Sequence, residues 1–230
     1  MAPIASNLQA IRARIERAAH AAGRHAGAIE LVAVSKTVPA GNIEQAHIAG
    51  QRAFGENFAQ EAVAKITKLA HLSPVPVWHF IGPIQSNKTT SIATHFQWVH
   101  SVDRDRIAQR LNAARAEGLP PLNVCIQVNV SGEATKSGAQ PGDAVRLADA
   151  LAQLPRLRLR GLMAIPEPTT DVALQRRRFA LLRELKDQLA ARGHALDTLS
   201  MGMSDDLEAA IAEGATMVRV GTAIFGSRRK

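Results

Sequence analysis

Two hydrophobic periods alternate along the chain. Ile4, Leu8, Ile11, Ile15, Ala18 and Ala22 share one face at helical spacing, with Ser6 and Gln9 placed as a capping box and Gly23 placed to end the helix. Beyond it, short β-branched runs predict strands at Leu31–Ser35, Arg52–Gly55, Val77–Gly82, Gln97–Val102, Asn123–Val130, Leu157–Ala164, Thr198–Met201 and Met217–Gly221. Amphipathic stretches between them predict helices over about Gly41–Ala49, Asn57–Leu69, Ser86–His95, Arg104–Glu117, Pro141–Gln153, Val172–Arg192 and Asp205–Glu213, with a short last turn from Thr222. Gly50, Gly118, Gly193 and Gly214 follow four of these helices, where a left-handed residue closes the final turn.

Eight strands, each followed by a helix, predict an α/β protein: a single TIM-type (β/α)8 barrel with one extra N-terminal helix, occupying residues 1–230 as one domain. An open doubly wound sheet is the rival. It would carry a glycine-rich turn after its first strand, whereas Leu31–Ser35 runs into Lys36-Thr37-Val38-Pro39 without a glycine. Apolar residues are 46% of the chain but aromatics only 3%, so the core must be aliphatic; there is no Tyr. One cysteine, Cys125, within an apolar strand, excludes an internal disulfide or a Cys-rich zinc site and reads as a small buried hydrophobe.

The net charge of +8 invites a nucleic-acid or anionic-membrane reading. The basic residues are mostly dispersed, with clusters at Arg156, Arg158 and Arg160, at Arg176–Arg178 and at Arg228–Lys230, and no aromatic residues interleave them to stack bases. No apolar run approaches the ~18 residues that span a bilayer, and no secretory h-region precedes a cleavage site. These features point to a cytoplasmic protein that engages neither nucleic acid nor membrane.

In such a barrel the chemistry lies at the carboxyl ends of the strands. Lys36 follows the first strand and shares a side with Val32 and Val34. An ammonium drawn out of bulk water tends toward the neutral amine, which attacks an aldehyde to form a Schiff base. An exposed strand-end lysine is the alternative, favoured by position alone. Gly221-Thr222-Ala223 after the last strand offers backbone N–H groups to a phosphate, and Ser204-Asp205 marks a second helix start next door. Both could equally be an ordinary turn and an N-cap, and Asp205, Asp206 and Glu208 would repel an anion if they pointed inward. A lysine across the mouth from a phosphate cradle is what pyridoxal 5′-phosphate (PLP) requires. Arg219, between Val218 and Val220, would hold a pyridine nitrogen unprotonated if it faced one; pairing with a carboxylate such as Glu56 is an equal alternative.

The motifs Ala33-Val34-Ser35-Lys36-Thr37, Phe54-Gly55-Glu56-Asn57, Trp78-His79-Phe80-Ile81-Gly82, Gln85-Ser86-Asn87-Lys88, Gly161-Leu162-Met163, Ser200 to Asp206 and Arg219 to Gly226 together resemble the pyridoxal phosphate homeostasis proteins, which are similar to the barrel domain of alanine racemase. The resemblance runs from about residue 6 to residue 228. It implies Lys36 as the Schiff-base lysine, Arg219 near the pyridine nitrogen, and Ser204, Gly221 and Thr222 around the phosphate. It further implies Asn57 and Met163 near the ring, with Ser200 behind them. Phe58 departs from relatives that carry Tyr after the Asn.

Racemisation needs a base on each face of a planar carbanion, and the alanine racemases that this barrel resembles pair their lysine with a tyrosine from another domain. With no Tyr, and few residues after the last strand, only His79 or Lys88 could stand in. The expectation is a monomeric carrier that holds PLP for PLP-requiring apoenzymes without efficient catalysis; a low-activity racemase-like enzyme is the alternative. The other histidines, His20, His25, His47, His71, His95, His100 and His194, show no metal-site spacing, and surface positions explain most of them. Residues 131–138, with Gly132, Lys136 and Gly138, read as a mobile flap over the mouth.

Overall fold

The computed structural model describes residues 3–132 and 137–226. Helix α1 (Ile4–Ala21) precedes eight strands that close in chain order into a parallel barrel. These are β1 (Glu30–Val34), β2 (Ala53–Glu56), β3 (Val77–Phe80), β4 (Trp98–Val102), β5 (Leu122–Gln127), β6 (Leu157–Met163), β7 (Thr198–Ser200) and β8 (Met217–Val220). The helices after them are α2 (Ala40–Ile48), α3 (Ala59–Lys68), α4 (Thr89–His95), α5 (Asp105–Ala114), α6 (Pro141–Ala152), α7 (Val172–Ala191), α8 (Leu207–Ala212) and α9 (Thr222–Phe225). The ring shuts where β8 pairs with β1, Leu31 opposite Val218 and Ala33 opposite Val220. The TIM-type barrel with its extra N-terminal helix is the architecture that the periodicity predicts.

Alternation along the strands sorts side chains into two cores. Ala33, Phe54, Phe80, Val99, Leu162 and Val218 face outward and merge with the apolar helix faces into one continuous layer. On α7 that face is Phe179, Leu182, Leu185 and Leu189, all buried, each worth about 1.5–3 kcal/mol of burial. The lumen is filled differently, by a small separate group of Trp98, Cys125, Met163 and Met217. Burial pushes the Cys125 thiol up to about 12, in keeping with an inert hydrophobe.

Three local expectations are corrected. The first helix starts at Pro3, whose fixed φ of −58° suits the N-cap; Ser6 lies inside the first turn and donates its hydroxyl to Pro3 O at 2.9 Å, so there is no Ser6–Gln9 capping box. Gly118 does not close α5, which stops at Ala114 with Arg115 already extended. Gly23, Gly50, Gly193 and Gly214 do take positive φ after their helices. Ser204 is no N-cap either: α8 begins at Leu207, and the Asp206 carboxylate accepts from Met203 N at 2.6 Å to shape the preceding turn.

Helix α1 and the turn after it brace the last third of the chain. Asn7 Nδ2 donates to Ile224 O at 2.8 Å, Arg14 to Ser204 O at 2.7 Å, and Arg24 to Ile211 O at 2.8 Å. Two of these bonds tie down the loop and the short helix that follow β7 and β8. No helix among the described residues is long and apolar enough to cross a membrane. Within the internal arginine clusters, Arg156, Arg160, Arg176 and Arg178 each meet a carboxylate, at Glu117, Asp197, Glu213 and Glu167.

Candidate functional site

The site residues named from sequence gather at the carboxyl ends of β1, β2, β6, β7 and β8. Register sets their levels. Val34 lies opposite Gly55, so Lys36 and Asn57 follow the ends of neighbouring strands. Met163 lies opposite Ser200, and Arg219 N donates to Gly202 O at 2.9 Å, one step above. Gly221 packs on Val34, where any Cβ would stand 3.1 Å from Val34 O. Lys36 and the Gly221 turn therefore occupy adjacent strand ends at the closing seam, not opposite sides of the mouth. Gly82 makes the matching approach on β3: a Cβ there would fall 2.4 Å from Asn57 O, so only glycine lets that loop support Asn57. Thr222 opens α9, where the first N–H groups have no partner within the helix.

Arg219 is buried in the lumen. Its Nη1 donates to Ser200 Oγ at 2.6 Å and its Nη2 to Ala164 O at 2.9 Å. Burial pushes the guanidinium down to about 10, which leaves it cationic at neutral pH. Glu56 is not its partner. It faces α3, outside the barrel wall, where its Oε1 accepts from Ser35 Oγ at 2.6 Å and Lys65 Nζ at 2.9 Å. Burial raises the Glu56 carboxyl, opposed by Lys65. Among the described residues no carboxylate forms an ion pair with Arg219.

The Ser200 hydroxyl continues from Arg219 into a buried chain. It lies 2.7 Å from His100 Nδ1, and His100 Nε2 lies 2.9 Å from His79 Nδ1. Strands β4 and β7 are not neighbours, so His100 can reach Ser200 only through the interior. Because Arg219 donates to the Ser200 oxygen, the hydroxyl proton points to His100 Nδ1, and His100 Nε2–H then donates to His79 Nδ1. His79 stacks on Trp98 at 5.5 Å, and its Nε2 is buried without a partner. Burial drives His79 down to about 3 and His100 well below its ordinary value, the charge on Arg219 adding to the latter. Both rings are neutral. His79 thus sits inside the lumen as a neutral link and is no proton donor at the mouth, and His100 is a core residue, not a surface one. The signal for His100 was present: it shares the inward face of its strand with Trp98, two residues away.

Lys88 lines a hollow of about 180 Å³ with Asn57, Phe58 and Gln85. Phe58 is exposed at its rim. Asn57 Oδ1 is buried and unpartnered. Asp205 and Asp206 line a separate hollow, beyond β6 and β7, with Pro166, Thr169 and Met203. Of the expected flap, residues 131–138, residues 133–136 lie outside the described residues; before them, Asn129 Oδ1 accepts from Ser131 N and Gly132 N, and Ser131 Oγ accepts from Glu167 N. Sequence reasoning missed one cluster altogether, Lys65 with Glu61, although their i,i+4 spacing on α3 was visible.

The barrel and its seam define the alanine racemase N-terminal domain, and that family matches residues 6–229. Over 228 residues the chain is 64% identical to the pyridoxal phosphate homeostasis protein of Pseudomonas aeruginosa, spanning 99% of this chain and 97% of that one. It is 53% identical over 232 residues to its namesake in Escherichia coli strain K12, covering 99% and 98%. The chain belongs to the pyridoxal phosphate homeostasis protein family. Among solved structures, PipY of Synechococcus elongatus with PLP bound, described as a COG0325 family member, is similar at a TM-score of 0.84 and 38% identity, over 97% of this chain and 100% of that one. Alanine racemase of Corynebacterium glutamicum shares the fold, at a TM-score of 0.69 and 16% identity over 96% of this chain and 62% of that one.

Proposed function

We propose that this protein binds pyridoxal 5′-phosphate at the carboxyl ends of its strands and holds it for delivery, acting as a cytoplasmic, monomeric carrier within PLP homeostasis. The carrying observation is Arg219, a buried cation whose two hydrogen-bond partners, Ser200 Oγ and Ala164 O, are neutral. A guanidinium in that setting retains donors and charge for a ligand acceptor. The buried, unpartnered Asn57 Oδ1 and the close-packed Gly221 turn fit the same ligand.

In this reading Lys36 would hold the cofactor covalently through its amine, at the aldehyde carbon. Ser204, Gly221 and Thr222 take the phosphate, and Arg219 faces the pyridine nitrogen. Asn57 and Met163 flank the ring, while Ser200 holds Arg219 in place. When bound, the cofactor supplies an aldehyde and a ring that can stabilise negative charge. Arg219, which keeps its proton, donates to the ring nitrogen and does not protonate it, so the ring remains a weak electron sink. The chain has no tyrosine, and the neutral His79 is committed to the lumen. Lys88, in the hollow beside Asn57, is the candidate acid that the exchange test below addresses; the reading is binding without efficient turnover, with PLP-requiring apoenzymes as the recipients.

The test is an absorbance spectrum of PLP-loaded protein before and after borohydride, beside a Lys36→Ala variant. Yellow colour that reduction fixes in the parent and that the variant lacks is the expected result. Retention of the fixed adduct by the variant overturns the choice of amine. Holoprotein incubated with single amino-acid enantiomers should show no rapid exchange of the α-proton; rapid exchange overturns the carrier reading.

A further inference from the structure

Behind Lys36, on the outer face of the barrel wall, lies a cluster that the proposed chemistry does not use. The Lys65 ammonium has three donors and meets three acceptors: Ser35 O at 2.7 Å, Glu56 Oε1 at 2.9 Å and Glu61 Oε1 at 2.5 Å. Ser35 is gripped twice, since its hydroxyl also donates to Glu56 Oε1 at 2.6 Å. On the other side of Lys36, Thr37 N donates to Glu61 Oε1 at 2.6 Å. Val38 N donates to Ser35 O at 2.9 Å, so residues 35–38 form a β-turn with Lys36 and Thr37 at its centre. Thr37 takes a φ of 61°, the left-handed region that the third position of such a turn commonly gives to glycine. A β-branched residue there is strained and persists only where its surroundings over-determine it. Both residues flanking Lys36 are thus fixed by an ammonium and a carboxylate on helix α3 and a second carboxylate at the end of β2.

We propose that Lys65, acting with Glu56 and Glu61, is a positioning residue for Lys36: a buried ionic clamp that fixes the turn from which the amine projects. The inference rests on the reading of Lys36 as the Schiff-base lysine. The clamp touches no ligand. It acts through the backbone on either side of Lys36, so its loss should harm capture of the aldehyde and spare recognition of the phosphate and ring.

The experiment titrates the full chain with PLP and with pyridoxine 5′-phosphate, which carries an alcohol in place of the aldehyde. Parent, Lys65→Met, Lys65→Arg and Glu61→Ala proteins are compared, with the yellow fraction at saturation recorded for PLP. Lys65→Met and Glu61→Ala are expected to weaken PLP binding about tenfold or more, as loss of a positioned group does, and to lower the yellow fraction. Pyridoxine 5′-phosphate binding should change by less than about twofold, as for a site left intact. Lys65→Arg, which keeps the charge, should restore most of the PLP affinity. Equal weakening for both ligands, or no weakening for either, overturns the clamp. If Lys65→Met does not fold, Glu61→Ala, at a partly exposed position on α3, decides by the same criteria. Peptide mapping of the reduced parent separates the two readings: an adduct away from Lys36 overturns the assignment of that amine, whereas an adduct on Lys36 with variants that bind like the parent overturns the clamp alone.

Discussion

The barrel wall beside β1 and β8 buries charge on both of its faces, in opposite ways. Outside, Lys65 is saturated by two carboxylates and a carbonyl, and every interaction is internal. Inside, Arg219 has a hydroxyl, a carbonyl and, beyond them, two neutral imidazoles. A charge neutralised from within fixes backbone. A charge held by neutral hydrogen-bond partners, with the Asp206 carboxylate acting on it without an ion pair, is fixed in place yet keeps its field for a ligand in the proposed reading. One strand layer thus separates a structural use of charge from the binding use proposed for Arg219.

The largest effect should come from breaking the outer face. Lys65→Met leaves the wholly buried Glu56 without its counter-ion and should cost about 3 kcal/mol in a denaturant titration; adding Glu56→Gln should return a good part of that loss, since the two sites are coupled. Arg219→Met inverts the pattern. An apolar replacement for a buried charge that forms no ion pair should leave the apoprotein within about 1 kcal/mol of the parent, while PLP affinity falls by about tenfold or more. A large melting shift with unchanged binding would reverse the roles of the two faces.

Acid should find the lumen first. His79 and His100 are neutral when folded, and free imidazoles titrate near 6.5. Between that value and the folded value of about 3 for His79, the unfolded chain binds more protons, so stability falls as pH falls. The slope is about 1.4 kcal/mol per pH unit for each ring. Glu56, raised by burial, works the other way below its own folded value. Thermal melts from pH 7 to pH 5 should show the decline, and a His79→Gln, His100→Gln double variant should flatten it. The smallest effect belongs to the rim, where Phe58→Tyr at an exposed position should alter stability by less than about 0.5 kcal/mol, with PLP affinity unchanged by titration.

The eight strands were legible because alternation and apolar runs are imposed by burial on both faces of the sheet, and the observed ends lie within about three residues of the predicted ones. Capping was less legible. Pro3 outcompetes Ser6 for the helix start through its ring alone, and Arg115 turns α5 out before Gly118 is reached. The residues around the candidate site could be named, but not how they pair. Glu56 and Arg219 both flank the mouth in sequence, and only the parity of their strands puts one outside and the other within. The link from Arg219 to His100 joins residues 119 positions apart in number through Ser200, a relation that no local pattern encodes.

The seam between the first and last strands has a consequence for assembly. Lys36 and the Gly221 turn come together only when β8 closes on β1, so a partly folded barrel lacks the proposed pocket. In that reading vitamin B6 would be recognised by the closed ring alone and, once seated, would rivet its two edges together.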